Sequence, residues 1–126
     1  MKRETISTKK ASGPFGPYSQ AVKTGSLVFT AGQIPVDPET GEISGSDIKT
    51  QTETVIKNIK AVLEASGSSL DKVVKTTCFL KDLNDCPGFN EVYESWFKPD
   101  YPSRTMVEVS KIPRGSLVEI EAVAVI

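Results

Sequence analysis

The stretch that decides the fold is Tyr101–Glu121, YPSRTMVEVSKIPRGSLVEIE. It reads as two strands joined by a short loop, a terminal hairpin. Successive strand residues point to opposite sides of a sheet. Arg104, Met106 and Glu108 therefore share one face of the first strand, and Thr105, Val107 and Val109 the other. In the second strand Glu119 and Glu121 share a face, opposite Val118, Ile120, Ala122 and Ala124. An arginine and two carboxylates thus sit on strands expected to be neighbours, each with an apolar set to bury. The charged face either points at water or lines a cleft in which Arg104 grips an acidic group.

The chain outward from that stretch has the size of one domain, read as 1–126. A domain of this length buries roughly two thirds of its unfolded surface, enough for a core without staples. A net charge of −1 offers no strongly basic surface for phosphate backbones. No apolar run approaches a membrane span. The start, MKRETISTKK, carries positive charge without a following apolar region, so the expected compartment is the cytoplasm. Cys78 and Cys86 are expected to stay reduced. The sequence holds no histidine. That removes Ser-His-Asp triads, Cys-His pairs and histidine metal sites, and leaves acid–base work to carboxylates, Lys, Tyr, Cys or water.

Upstream, residues 3–7 form a weak strand candidate. The following TKKASGPFGPYSQ is a restricted loop in which Phe15 or Tyr18 is either poised for contact or plugs the core. AVKTGSLVFTAG (21–32) reads as a hairpin turning at Thr24-Gly25-Ser26, with Gly32 at its end. Pro38-Glu39-Thr40-Gly41 suits a tight turn. From Asp47 to Ser66, Ile48, Val55, Ile56, Ile59, Val62 and Leu63 recur at helical spacing, and Gly67 ends the run. The opposite side, including Lys49, Gln51 and Glu53, reads as a solvated face. LDKVVKTTCFLKD (70–82) is a strand with Cys78 as a core residue, and Pro87–Lys98 a second helix with an apolar stripe of Phe89, Val92, Tyr93, Trp96 and Phe97. Cys86 falls in its first turn, where the helix dipole favours thiolate, but no assisting base is in view.

Two one-striped helices and strands at both ends predict an α+β two-layer sandwich. The helices cover one face of the sheet. The apolar residues of the other face call for a second copy of the chain.

Gly16-Pro-Tyr-Ser-Gln-Ala-Val22, Ala31-Gly-Gln-Ile-Pro35, Phe89-Asn-Glu-Val-Tyr93, Pro102-Ser-Arg104 and Val118-Glu-Ile-Glu-Ala122 together resemble the reactive intermediate deaminase family of the RidA (YjgF) type. The match runs in order over nearly the whole chain. The resemblance implies a chorismate-mutase-like fold, one mixed sheet covered on one face by two helices, and a homotrimer with clefts between subunits. It implies hydrolysis of enamine and imine acids, 2-aminoacrylate and 2-iminobutanoate among them, to 2-oxo acids and ammonia, with no cofactor or metal. By residue, it implies Arg104 as the grip on the substrate carboxylate, Glu119 beside the reacting carbon and water, and Tyr18 as a cleft wall. It further implies Gly32 as a lining of the pocket and Asn90 as its support. Ala31 stands where the family often has serine, and Met106 where many members have cysteine; both are expected to line the cleft. Guanidinium suits its role, being planar, bidentate and always charged.

Three functional classes follow. The first is a cofactor-free imine deaminase. The second is a trimer that holds small 2-imino or 2-oxo acids without turnover. The third is RNA binding or cleavage, against which the net charge and the lack of a basic-aromatic stripe count. For Arg104 the simpler alternative is an ion pair with Glu108, Glu119 or Glu121.

Overall fold

Local chemistry sets the elements of the computed structural model, which describes residues 2–126; Met1, first residue of the stretch read for a leader, lies outside them. Helix α1 (Ile48–Ala65) starts where the Asp47 carboxylate accepts from the Thr50 amide at 3.0 Å. It ends at Gly67, whose φ of 82° suits a residue without Cβ. Helix α2 (Cys86–Trp96) has Pro87 in its first turn, where no amide is needed. The strands are β1 (Arg3–Ile6), β2 (Ala21–Thr24), β3 (Leu27–Thr30), β4 (Val73–Leu80), β5 (Ser103–Glu108) and β6 (Val118–Val125). The expected hairpin at 21–32 forms, but β3 stops at Thr30, two residues before Gly32.

The six strands lie in the order β1-β2-β3-β6-β4-β5. Helix α2 carries the chain from β4 to β5, so these two run parallel, while every other pair is antiparallel. The α+β sandwich with a mixed sheet under two helices is as expected. The terminal hairpin is not. β4 lies between β5 and β6, pairing Thr76 with Arg104 on one side and Phe79 with Glu119 on the other. In that central place the backbone groups of β4 find partners along both edges, which buried polar groups require.

The core lies between sheet and helices. Val28, Cys78, Leu80, Val118, Ile120 and Ala124 meet Val55, Ile56, Ile59, Leu63 and Phe89, all fully buried. Burying each large side chain of this kind stabilises the fold by about 1.5–3 kcal/mol. Gln51 corrects the reading of a wholly solvated outer face on α1, since it is buried. Its Oε1 accepts from the Leu117 amide at 2.8 Å and its Nε2 donates to Gly45 O at 3.1 Å. With Asn58 Nδ2, which donates to Val36 O at 2.9 Å, it ties the loops at the sheet's end to the helix layer.

The other sheet face stays open. Phe29, Val107 and Val125 are exposed on it, beside Val123. Among the described residues, no helix is long and apolar enough to cross a membrane.

Candidate active site

Arg104 stands on β5 on the side that faces the helices. Its register partner, Thr76, is buried on that side and meets the Tyr93 hydroxyl of α2 at 2.8 Å. The guanidinium carbon sits 4.9 Å from the Tyr93 ring centre and 5.6 Å from that of Phe89, within reach of a cation–π attraction. Arg104 Nη1 donates to Asn90 Oδ1 at 2.8 Å. Phe89, Asn90 and Tyr93 are one helical turn of α2, which is why a stripe read as core also builds a platform. Among the described residues, Arg104 has no carboxylate partner: the ion pairs are Lys49 with Glu91, Lys60 with Glu64 and Arg114 with Glu42. The expected alternative of a pair with Glu108, Glu119 or Glu121 is not present.

The guanidinium borders a cleft of about 320 Å³ lined by Asn90, Tyr93, Glu94, Tyr101, Pro102 and Arg104. Met106, two residues along β5, shares the Arg104 side, as alternation predicted, and packs against the core. Its thioether accepts from the Cys86 thiol at 3.4 Å, and Asn90 Nδ2 donates to the Cys86 sulfur at 3.5 Å. Cys78 lies below, fully buried; desolvation pushes its thiol up to about 11, against smaller opposing pulls from Thr76 and Arg104.

Glu119 faces the other way. On β6, Val118 and Ile120 are buried against the helices, and Glu119 projects between them onto the open face with Glu121. Half-burial, and secondarily the charge of Glu121, raise its carboxyl above the ordinary carboxylate range. Gly32 lies directly against it: a Cβ there would stand 2.9 Å from Glu119 Cδ and 3.1 Å from Cγ. Absence of a side chain at Gly32 is what lets the carboxylate occupy its place. The Ala31 amide donates to Gln20 O at 2.8 Å. Gln20 is buried and holds the preceding loop: its Oε1 accepts from the Thr8 amide at 2.6 Å, and its Nε2 donates to Ser12 O at 2.9 Å. That loop carries Tyr18, whose ring meets Phe15 edge-on at 5.8 Å. Both aromatics are exposed, so neither plugs the core.

One chain therefore gathers the candidate residues into two groups. Arg104, Asn90 and Met106 belong to the β5–α2 side; Glu119 and Gly32 belong to the open face, with Ala31 and the Tyr18 loop joined to them through Gln20. The expected neighbouring strands would have put Arg104 and Glu119 together, but the insertion of β4 and the opposite facing of the two residues separate them. Sequence reading missed the aromatic platform under Arg104 and the buried glutamine behind Tyr18. Phe89-Asn90-Tyr93 at helical spacing was the available signal for the platform.

The site's chemistry meets a consistent set of relatives. The family model described as Endoribonuclease L-PSP matches residues 8–126. A RutC family protein of Pyrococcus abyssi is 57% identical over 124 residues, covering 98% of each chain. The 2-iminobutanoate/2-iminopropanoate deaminase of Salmonella typhimurium is 45% identical, with 97% of each chain covered. Among solved structures, E. coli TdcF with bound serine superposes with a TM-score of 0.93 at 44% identity over 98% of each chain. The YjgF gene product of E. coli gives a TM-score of 0.92 at 43% identity, covering 97% of this chain and 98% of that one. The chain thus belongs to the Endoribonuclease L-PSP family, the RutC and RidA-type proteins, some of whose members are named as imine deaminases.

Proposed function

We propose that this protein hydrolyses small 2-imino acids and their enamine tautomers, such as 2-iminobutanoate and 2-aminoacrylate, to 2-oxo acids and ammonia. The observation that carries the reading is an arginine with no carboxylate partner among the described residues, oriented by an amide and two aromatic rings at the mouth of a cleft. An exposed planar cation left without an internal anion is matched to a carboxylate from outside. The named deaminase among its relatives supports the same class of substrate.

The two residue groups lie on opposite sides of one sheet, so the complete site is read as composite. Arg104 of one copy faces Glu119, Gly32 and Tyr18 of the next. The exposed Phe29, Val107 and Val125 supply the apolar surface for that association. Three copies, each giving one group to the cleft on either side, make a closed ring, the homotrimer expected from the resemblance.

In this arrangement Arg104 binds the substrate carboxylate and fixes the iminium carbon near Glu119. Glu119, ionised, takes a proton from a water as its oxygen adds to C2. The carbinolamine forms, the proton passes to its nitrogen, and the C–N bond breaks. Ammonia leaves with that electron pair as Glu119, ionised again, takes the hydroxyl proton, and the oxygen becomes the carbonyl of the 2-oxo acid. The same negative charge favours the protonated, electrophilic imine. Positioning and one base suffice because the work is to orient water at an already reactive carbon.

The test is a coupled assay in which a threonine dehydratase generates 2-iminobutanoate in a buffer free of imine scavengers. Wild type accelerates 2-oxobutanoate formation. Arg104→Ala lowers kcat/KM about 10²–10⁴-fold, the loss of two charge-assisted hydrogen bonds, with its oligomeric state intact. Normal turnover by Arg104→Ala refutes the assignment. Arg104-dependent binding of 2-oxobutanoate without any acceleration by wild type replaces it with a carboxylate-binding protein.

A further inference from the structure

We propose that Cys86 is a positioning residue: its thiol sets the orientation of the Asn90 side-chain amide and, through it, the direction of the Arg104 guanidinium. The inference rests on the reading of Arg104 as the carboxylate anchor and adds a residue to which that reading gives no part.

The contacts form a directed chain. Arg104 Nη1 donates to Asn90 Oδ1 at 2.8 Å. Asn90 Nδ2 donates to Cys86 Sγ at 3.5 Å. Cys86 Sγ donates to Met106 Sδ at 3.4 Å. Met106 stands two residues from Arg104 on the same side of β5, so the chain closes on the strand where it began. Each partner has one arrangement open to it. Guanidinium carries only donors, so Asn90 must turn its oxygen to Arg104 and its NH₂ away. The NH₂ then needs an acceptor. Cys86, four residues earlier on α2, lies on the same helix face and supplies it. A thioether accepts but has no proton to give, so the Cys86 proton goes to Met106 and its lone pairs stay available to Asn90.

Without an acceptor at position 86, the bond to Arg104 alone holds the Asn90 amide, and the amide plane is free to turn about that bond. As the amide turns, its oxygen carries the guanidinium from its place over Tyr93. Cys86 also has no described neighbour that would take its proton as a base. Its hydrogen bonds are an incoming amide and an outgoing contact to a thioether. The geometry is that of a bracket, not of a nucleophile.

The experiment uses the full chain as wild type, Cys86→Ala and Cys86→Ser. Nitrogen–proton NMR follows the Asn90 side-chain amide and the Arg104 Nε–H without ligand, assigned with Asn90→Asp and Arg104→Lys. Calorimetry measures binding of 2-oxobutanoate, and the coupled assay gives KM and kcat for 2-iminobutanoate. Cys86→Ala is expected to shift both resonances, weaken binding about fivefold, the worth of one modest hydrogen bond, and raise KM equally without a matching fall in kcat. Cys86→Ser keeps an acceptor and a donor and recovers most of the affinity; it also serves where the alanine variant folds poorly. Unchanged Asn90 and Arg104 resonances in Cys86→Ala overturn the inference. So does a loss confined to kcat that serine fails to restore, which makes the thiol a reacting group. If wild type binds no 2-oxobutanoate and turns over no imine, the functional reading fails, and the resonances still decide whether Cys86 orients Asn90.

Discussion

Gly32→Ala separates stability from activity at the Glu119 end of the site. The added Cβ would meet Glu119 Cδ at 2.9 Å and Cγ at 3.1 Å. An ordinary contact begins near 3.4 Å, so the carboxyl carbon must retreat by about 0.5 Å, and its oxygens further. The obstacle is the free end of a half-exposed side chain, so the backbone need not move. Pushing Glu119 off its rotamer costs about 0.5–1.5 kcal/mol. Gly32 is not among the glycines with positive φ, so alanine fits its backbone and restricts the unfolded chain, a gain of about 0.4–1 kcal/mol. The two nearly cancel, and Tm is expected to stay within about 4 °C of wild type. Catalysis has no such compensation. A general base displaced by part of an ångström is expected to lose about 10- to 100-fold in kcat/KM. The assay is 2-iminobutanoate hydrolysis, with thermal unfolding in parallel. A double-mutant cycle with Glu119→Ala sharpens it: once the carboxylate is gone, the Gly32→Ala methyl has nothing further to displace, and the effects are non-additive. Wild-type turnover by Gly32→Ala, or additive losses in the cycle, would refute the placement of Glu119 as the positioned base.

Further expectations follow from the same geometry. Because burial and Glu121 raise the Glu119 carboxyl, kcat/KM should climb through a pKa above the ordinary glutamate range, and Glu121→Gln should move that limb to lower pH. The linkage has the opposite sign for stability: the folded protein holds this proton more tightly than the unfolded chain, so stability from this group is greatest at low pH and declines as pH rises through the folded pKa, measured by urea midpoints. In Cys86→Ser the remaining thiol, Cys78, should resist alkylation at neutral pH until the protein unfolds, because it is fully buried with its pKa pushed up to about 11; fast labelling would contradict its place in the core. Phe29→Asp puts a charge on the open face, and sedimentation should show dissociation to monomers that keep their helical content, whereas an unchanged assembly would move the interface elsewhere.

Reading the sequence placed both helices, the two ends of α1 at Asp47 and Gly67, the 21–32 hairpin and the burial of Cys78, because periodicity and turn chemistry act over a few residues. Alternation likewise determined that Met106 shares a side with Arg104, and Glu121 with Glu119. The sequence could not say which side each pair takes relative to the other. That depends on strand order, and the pairing energy of β4 with both β5 and β6 comes from residues far apart in the chain. The same limit hid Gln20 and Gln51, polar residues whose burial is tolerable only because distant backbone groups complete their hydrogen bonds. Residue types and their local sidedness were thus written in the chain. The division of Arg104 and Glu119 between two faces was decided only when β4 took the place between them.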